Sequence, residues 1–470
     1  MATNTQPPNA SSDQSGEGET KLKRVMGPGL LLLFIVGDVL GTGIYALTGK
    51  VAGEVGGIVW LPFLVAFLLA AVTACSYLEL VTKYPKAAGA ALYTHKAFGI
   101  HFVTFLVAFA VMSSGVTSAS TASRAFAENF AESFGFGDGF FGITAIGIAF
   151  IALTAAVNLR GVGESVKANV VFTCIELTGL LIIIMIGAAA LAGGQGDFGR
   201  AFDFSQTDEN GVFWPVIAAT TLAFFAMVGF EDSVNMAEEA KDPVRIFPKV
   251  LLGGLLITGV IYLLVSVTAI ALVPADELSD GATPLLKVVE AGAPWFPLSI
   301  FGIITMCAVA NSALINMLMA SRLLYGMSQE RVLPKVLGKL LPKRQTPHVA
   351  ILFTTVLAAA LITFVGAVPE LGGTTALLLL MVFAVVNVAV LVLRKDRVDH
   401  DHFKSPAFLP YIGAISCAFF VGPWTGRDPS QYLIAGVLLG IGVVMWAVTV
   451  WLMRRSGEKA SGGDMSALKQ

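Results

Sequence analysis

Twelve stretches of this chain are apolar over roughly the length of a membrane helix, and this recurrence limits its possible folds more than any other feature. Crossing the hydrocarbon core takes about 20 mostly apolar residues. Only helices and closed barrels satisfy their own backbone there. The stretches are 28–50, 57–80, 100–128, 139–158, 166–193, 212–236, 246–273, 296–326, 348–367, 374–394, 407–423 and 431–453; the eleventh is short and rich in Pro and Gly. Charged residues make up 13% of the chain, against about 25% in soluble domains. The expectation is an all-α membrane protein of twelve transmembrane helices, with the lipid bilayer as its surroundings. A net charge of −2 gives no support to a nucleic-acid partner. The four cysteines all fall in apolar stretches without metal-ligand spacing, so they read as inert buried thiols, and no metal or cofactor is expected. Residues 1–24 and 456–470 read as polar tails, the first of them disordered. No cleavable leader is expected, because the first apolar run is already of full membrane length.

Lys and Arg placement orients the spans. With the N-terminus inside, all but Lys50, Arg124, Arg200, Lys287 and Arg427 of the 30 basic residues fall in cytoplasmic segments. One missed or invented span would scramble that asymmetry. Both termini are therefore expected in the cytoplasm, the membrane being the cell (inner) membrane. Five spans followed by five more place the second set upside down relative to the first. The organisation expected is a first repeat over 25–200, an inverted second repeat over 201–397, and two added helices over 398–455. Similarity between the halves is faint, so the repeat rests on one shared irregularity.

That irregularity is a break in the first span of each unit. Gly41-Thr42-Gly43 interrupts the first span, and Gly229-Phe230-Glu231-Asp232 the sixth. Unwinding in hydrocarbon leaves backbone groups unpaired at several kcal/mol each. The cost is tolerable where the freed groups line a cavity, and matched breaks mark substrate sites in secondary transporters. The outer half-helix beginning near Ile44 directs N–H groups and partial positive charge inward, which suits a carboxylate. Carbonyls near Leu40, and near Phe230 and Ser233 in the sixth span, suit an ammonium group. The plainer reading is that Gly-x-Gly allows close helix packing.

Four acids lie in or beside apolar spans: Asp38, Glu176, Glu231 and Asp232. An ionised carboxylate at mid-membrane costs at least about 2.5 kcal/mol, so they should face the bundle interior. Glu176 is the only charge between Lys167 and Asp197. Its leading reading is a proton carrier; a contact to a cationic substrate and a satisfied structural acid are the alternatives. Asp38 either shares a proton with Glu176 or caps exposed N–H groups. Glu231 and Asp232 fall where the helix should be unwound, or else sit solvated in a vestibule. Among weaker polar signals, Ser113, Ser114, Thr117 and Ser118 in span three, and Asn311, Ser312 and Asn316 in span eight, pack closely or line the same cavity. No phosphate-binding loop, His-Glu-x-x-His or Gly-x-Ser-x-Gly motif is present, so no catalytic residues are assigned and no enzyme is expected.

At these same residues the chain resembles the amino acid–polyamine–organocation permeases, nearest to bacterial amino acid permeases and cationic amino acid transporters. The first motif is Val36-Gly37-Asp38-Val39-Leu40-Gly41-Thr42-Gly43-Ile44-Tyr45. The second is Gly229-Phe230-Glu231 leading to Ala237-Glu238-Glu239-Ala240-Lys241-Asp242-Pro243, and the third Arg322-Leu323-Leu324-Tyr325-Gly326-Met327 with Leu333-Pro334. Pro85 and Gly89 to Tyr93 also fit. The resemblance implies a leucine-transporter-like five-plus-five inverted repeat and alternating access by a rocking bundle. It implies carboxylate binding at Gly41, Thr42 and Gly43, with the amino group at the carbonyls of Val39, Phe230 and Ser233. Proton-coupled members often carry a lysine in span five, where this chain has Glu176; the family generally has a small residue where this chain has Asp38.

The reading is a proton-coupled permease for amino acids, with spans one, three, six and eight around the substrate. The alternatives are an importer or exchanger of amines, polyamines or cationic amino acids, a membrane sensor that does not translocate, and a channel. Oligomeric state is left open.

Overall fold

The computed structural model describes residues 26–86, 89–135, 139–204, 211–237, 240–329, 332–342 and 344–455. The two terminal tails, the motif residues Glu238 and Glu239, and the basic residues Lys21, Lys23, Arg24, Arg331, Lys343, Lys459 and Lys469 lie outside the described residues. Helices dominate what is described. They are α1 (Pro28–Leu40), α2 (Thr42–Val55), α3 (Trp60–Lys83), α4 (Gly89–Phe98), α5 (His101–Phe134), α6 (Phe140–Arg160) and α7 (Val162–Ala192). There follow α8 (Phe213–Ala226), α9 (Phe230–Asn235), α10 (Pro243–Leu272), α11 (Ala275–Ser279), α12 (Pro284–Gly292) and α13 (Leu298–Gln329). The chain continues through α14 (His348–Phe364), α15 (Val368–Leu393), α16 (Leu409–Val421) and α17 (Pro429–Arg455).

Every apolar stretch is helical, but the lengths differ from expectation. Among the described residues ten helices, counting α1–α2 and α8–α9 as one each, are long and apolar enough to cross a membrane. α14 has 17 residues and α16 has 13. At 1.5 Å per residue, α16 spans about 20 Å, short of the ~30 Å core. Gly422 and Pro423 end it, since proline cannot continue a helix. Three short helices were not expected. α4, α11 and α12 carry too few apolar residues to read as spans, and α4 buries Leu92, Tyr93 and Thr94 where a loop was expected.

The interrupted helices sit at the centre. Most of the α1–α2 span is buried, whereas α6, α7 and α17 turn much of their surface outward, including Leu153, Met185, Val444 and Trp451. The most extensive helix contact joins α5 to α13. Gly115 permits it, since a Cβ there would lie 3.2 Å from the Asn316 carbonyl and 3.4 Å from the Ala320 methyl; the buried hydroxyls of α5 serve other neighbours, Thr117 meeting Thr375 of α15 at 2.7 Å and Ser120 the Ala358 carbonyl of α14 at 3.4 Å. Small residues let helix backbones approach where no hydrophobic force drives association. These hydroxyls mostly bond their own helix, as Thr117 does to the Ser113 carbonyl at 3.1 Å.

Two contacts tie connecting segments to the bundle. Met26, just before α1, pairs with Ala240, just before α10, and the Lys241 amide donates to the Met26 carbonyl at 3.0 Å. At the end of α3, Glu79 accepts both arms of the Arg394 guanidinium at 2.8 Å, and the Ser405 amide and hydroxyl at 3.0 and 2.7 Å. That fork fixes α15 and the segment after it against α3, a geometry only arginine supplies.

Candidate functional site

Both spans marked as broken are interrupted. α1 and α2 are separated by one residue, Gly41, whose φ of −33° and ψ of −147° cannot continue a helix. The first amide of α2, Thr42 N–H, donates to Ser312 Oγ of α13 at 3.1 Å. A Cβ on Gly41 would collide with that same hydroxyl, and one on Gly43 would run into the Ala226 backbone at the end of α8. The second break lies slightly earlier than expected. Its irregular residues are Met227 to Gly229; Phe230 already starts α9, so Glu231, Asp232 and Ser233 are helical rather than unwound. The cause is local. Gly229 adopts φ +121°, a region open to glycine alone, and its amide donates to Glu231 Oε2 at 2.9 Å. An acid just inside a helix start satisfies an orphan donor, so α9 begins where the sequence had suggested unwinding.

A cavity lies between the breaks, lined by Asp38, Val39, Gly41, Thr42, Gly43, Ser118, Phe225, Val228, Gly229, Ser312 and Asn316. It draws on α1, α2, α5, α13, the end of α8 and the link to α9. About 20 Å³ is free to a water's centre, room for one water molecule. A larger solute does not fit the cavity in this conformation.

The remaining residues singled out by sequence fall around this cavity in distinct ways. Val39 lines it, but its carbonyl accepts the Tyr262 hydroxyl. Ile44 is buried outside it, its carbonyl taken by the Thr48 hydroxyl. Phe230 packs edge-on against Tyr77 and beside Phe383; its carbonyl accepts Ser233 Oγ at 2.6 Å, and the Ser233 carbonyl accepts the Met236 amide at 3.0 Å. Ser113 and Ser114 are buried but do not line the cavity; Ser114 Oγ donates to the Val111 carbonyl at 2.7 Å.

All four acids are buried. Asp38 is 6% exposed, and neither carboxylate oxygen has a hydrogen-bond partner. It lies against the second break: a Cβ on Gly229 would stand 2.8 Å from the Asp38 carbonyl oxygen and 3.1 Å from its carboxyl carbon. Asp232, Glu231 and Glu176 are its acidic neighbours. Glu231 lines a second small cavity with Tyr77, Asn235 and Leu323. Asp232 lies beside Asn235. Glu176 is wholly buried with both oxygens unpartnered. Asn311 flanks it, but spends its amide on the Gly37 carbonyl at 3.1 Å and the Thr173 hydroxyl at 3.4 Å, while accepting from Asn169. Among the described residues no group of His, Cys, Asp and Glu has metal-binding geometry.

Sequence reasoning missed Phe225 and Val228, apolar members of the cavity wall, and the two tyrosines around Glu176. Tyr45 donates to the Glu176 carbonyl at 3.0 Å, and Tyr262 reaches Val39. A tyrosine in mid-span was the available signal, because its hydroxyl must find a partner when buried.

Long apolar helices around two interrupted ones, which meet at a polar cavity, define a multi-pass α-helical membrane protein. The family model for amino acid permeases matches residues 30–452, and the chain belongs to that family. It is 28% identical to the branched-chain amino acid permease BcaP of Bacillus subtilis, across 86% of this chain and 89% of that one. It is 27% identical to the chloroplastic cationic amino acid transporter 9 of Arabidopsis thaliana, across 72% of this chain and 60% of the relative. It is also 27% identical to the methylthioribose transporter of Bacillus subtilis, across 87% and 90%.

Proposed function

We propose that this protein is a secondary active transporter that moves amino acids across the cell membrane by alternating access, coupled to protons. The observation that carries the reading is the meeting of two helix breaks at one polar cavity. On this reading the main-chain amides of Gly41, Thr42 and Gly43, which line the cavity, receive the substrate carboxylate, the Thr42 amide exchanging its bond to Ser312 Oγ for it. Relatives named for branched-chain and cationic amino acids support the cargo class.

The chain crosses the membrane twelve times, α14 and α16 included, with both termini in the cytoplasm. The first ten crossings form two inverted sets of five. Opening is a separation of the α1/α9 side from α5 and α13, and the Met26–Ala240 pairing lets the α1 start and the α9–α10 link move together. Glu176 is the leading proton carrier. It is a carboxyl in a dry site with no basic partner on its own oxygens, and such a group is cheap to bury only when protonated. Asp38 is the second candidate for that role.

Uptake by proteoliposomes, with a panel of amino acids and with or without an imposed pH gradient, tests this. Wild type accumulates its substrate when the outside is acid. Glu176→Gln, neutral at every pH, loses pH-driven accumulation by about tenfold or more yet keeps exchange of labelled for unlabelled substrate. Unchanged pH-driven accumulation in that variant rejects Glu176 as carrier. Binding without flux in wild type rejects transport.

A further inference from the structure

We propose that the Asp38 carboxylate is the acceptor for the substrate's ammonium group, an inference that rests on the amino acid reading above. The cavity between the breaks has two chemically unlike ends. One is the amide-bearing first turn of α2. At the other, Asp38 is the one acid lining this cavity among the described residues, and neither of its oxygens has a partner. Its side chain is more than nine-tenths buried and rests on Gly229.

Three of the main-chain carbonyls that would otherwise hold an ammonium are engaged. The Val39 carbonyl takes the Tyr262 hydroxyl, the Phe230 carbonyl takes Ser233 Oγ, and the Ser233 carbonyl takes the Met236 amide. A carbonyl can accept a second bond. Yet a carboxylate with no partner has more to gain, because hydrogen bonds between ionised groups are roughly twice as strong as neutral ones. Glu231 has already committed an oxygen to the Gly229 amide and opens on the other cavity. With Asp232 it adds negative potential near Asp38, so this end of the site favours a cation.

The test is binding to the purified full chain in detergent, read as a thermal shift and by competition. The probes are the amino acid giving the largest shift with wild type, its decarboxylated amine and its deaminated carboxylic acid. Wild type binds the amino acid and the amine and rejects the acid. Asp38→Asn binds the first two about 10–100-fold more weakly and binds the acid more tightly than wild type does, since repulsion between two carboxylates is gone. Asp38→Ser, also neutral, shows the same reversal and serves if the Asn variant does not fold. Looser packing would weaken all three probes together and cannot produce a reversal. A neutral variant that binds the amino acid within about twofold of wild type overturns the assignment, as does equal loss of all three probes. A wild type that binds no amino acid overturns the functional reading, and this inference with it.

Discussion

The two helix breaks do the same topological work by different means. The first is a single residue, and its leading amide is satisfied from another helix, through Ser312 of α13. The second is three residues long, and its amide is satisfied from two positions further along its own chain, through Glu231. On the proposed alternating access, the first break depends on its neighbours and changes when α13 moves away, whereas the second carries its own acceptor and keeps its shape: one responsive break and one stiff one.

The largest expected effect tests the stiff break. Gly229→Ala places a Cβ within 3 Å of the Asp38 main chain while demanding φ +121° of an alanine. Left-handed strain costs about 1–2 kcal/mol, and moving α1 adds to it, for a total near 3 kcal/mol. Uptake should vanish and the melting temperature fall by several degrees. Gly43→Ala belongs in the same class, because its Cβ meets the Ala226 backbone. Retained uptake in either variant would show that the breaks do not need this close approach.

The next effect is smaller and addresses the internal acceptor. Glu231→Ala removes the partner of the Gly229 amide, and losing a charged hydrogen bond costs about 1.5–3 kcal/mol. Glu231→Gln keeps an acceptor oxygen and should recover most of that loss in a thermal melt. If Ala and Gln melt alike, the carboxylate is not what sets the α9 start.

How far the sequence revealed this comparison depended on what kind of residue made each feature. Glycines beside polar groups in an apolar run betray a break, because few other roles explain them there, and both positions were legible. What satisfies each break was legible only where the partner is near in sequence or chemically conspicuous. Ser312 lies 270 residues from Thr42; the sequence pointed to close packing or to the cavity wall, where it sits, but not to the Thr42 amide as its partner. Glu231 was visible as a buried acid, but its hold on the Gly229 amide was not, so the helix was expected to unwind past Phe230 when it restarts there. The long helices followed from hydropathy. α4, α11 and α12 did not, since short helices in connecting segments carry no membrane-length signal. Asp38 stood out by its cost in hydrocarbon, but its neighbours Asp232 and Glu231 arrive through tertiary packing across Gly229, which spacing along the chain does not encode.

The smallest expected effect isolates the responsive break. Gly41→Ala collides with Ser312 Oγ, the end of a small side chain, rather than with backbone. The serine can rotate away at the cost of its bond from Thr42, about 1 kcal/mol, so uptake should fall severalfold without being lost. Ser312→Ala alone removes the same bond at a similar cost. The pair is therefore not additive: once the hydroxyl is gone, the nearest atom to the new methyl is the Cβ at position 312, 3.2 Å away rather than in collision, and the double variant should melt at or above the temperature of Gly41→Ala. A coupling of about 1 kcal/mol in that cycle is within the range for residues in contact. No such rescue is expected at the second break. Truncating Asp38 leaves its main-chain carbonyl where the Gly229 methyl would go, so Gly229→Ala with Asp38→Ala should remain as impaired as Gly229→Ala alone. Rescue at both breaks, or at neither, would remove the distinction between them.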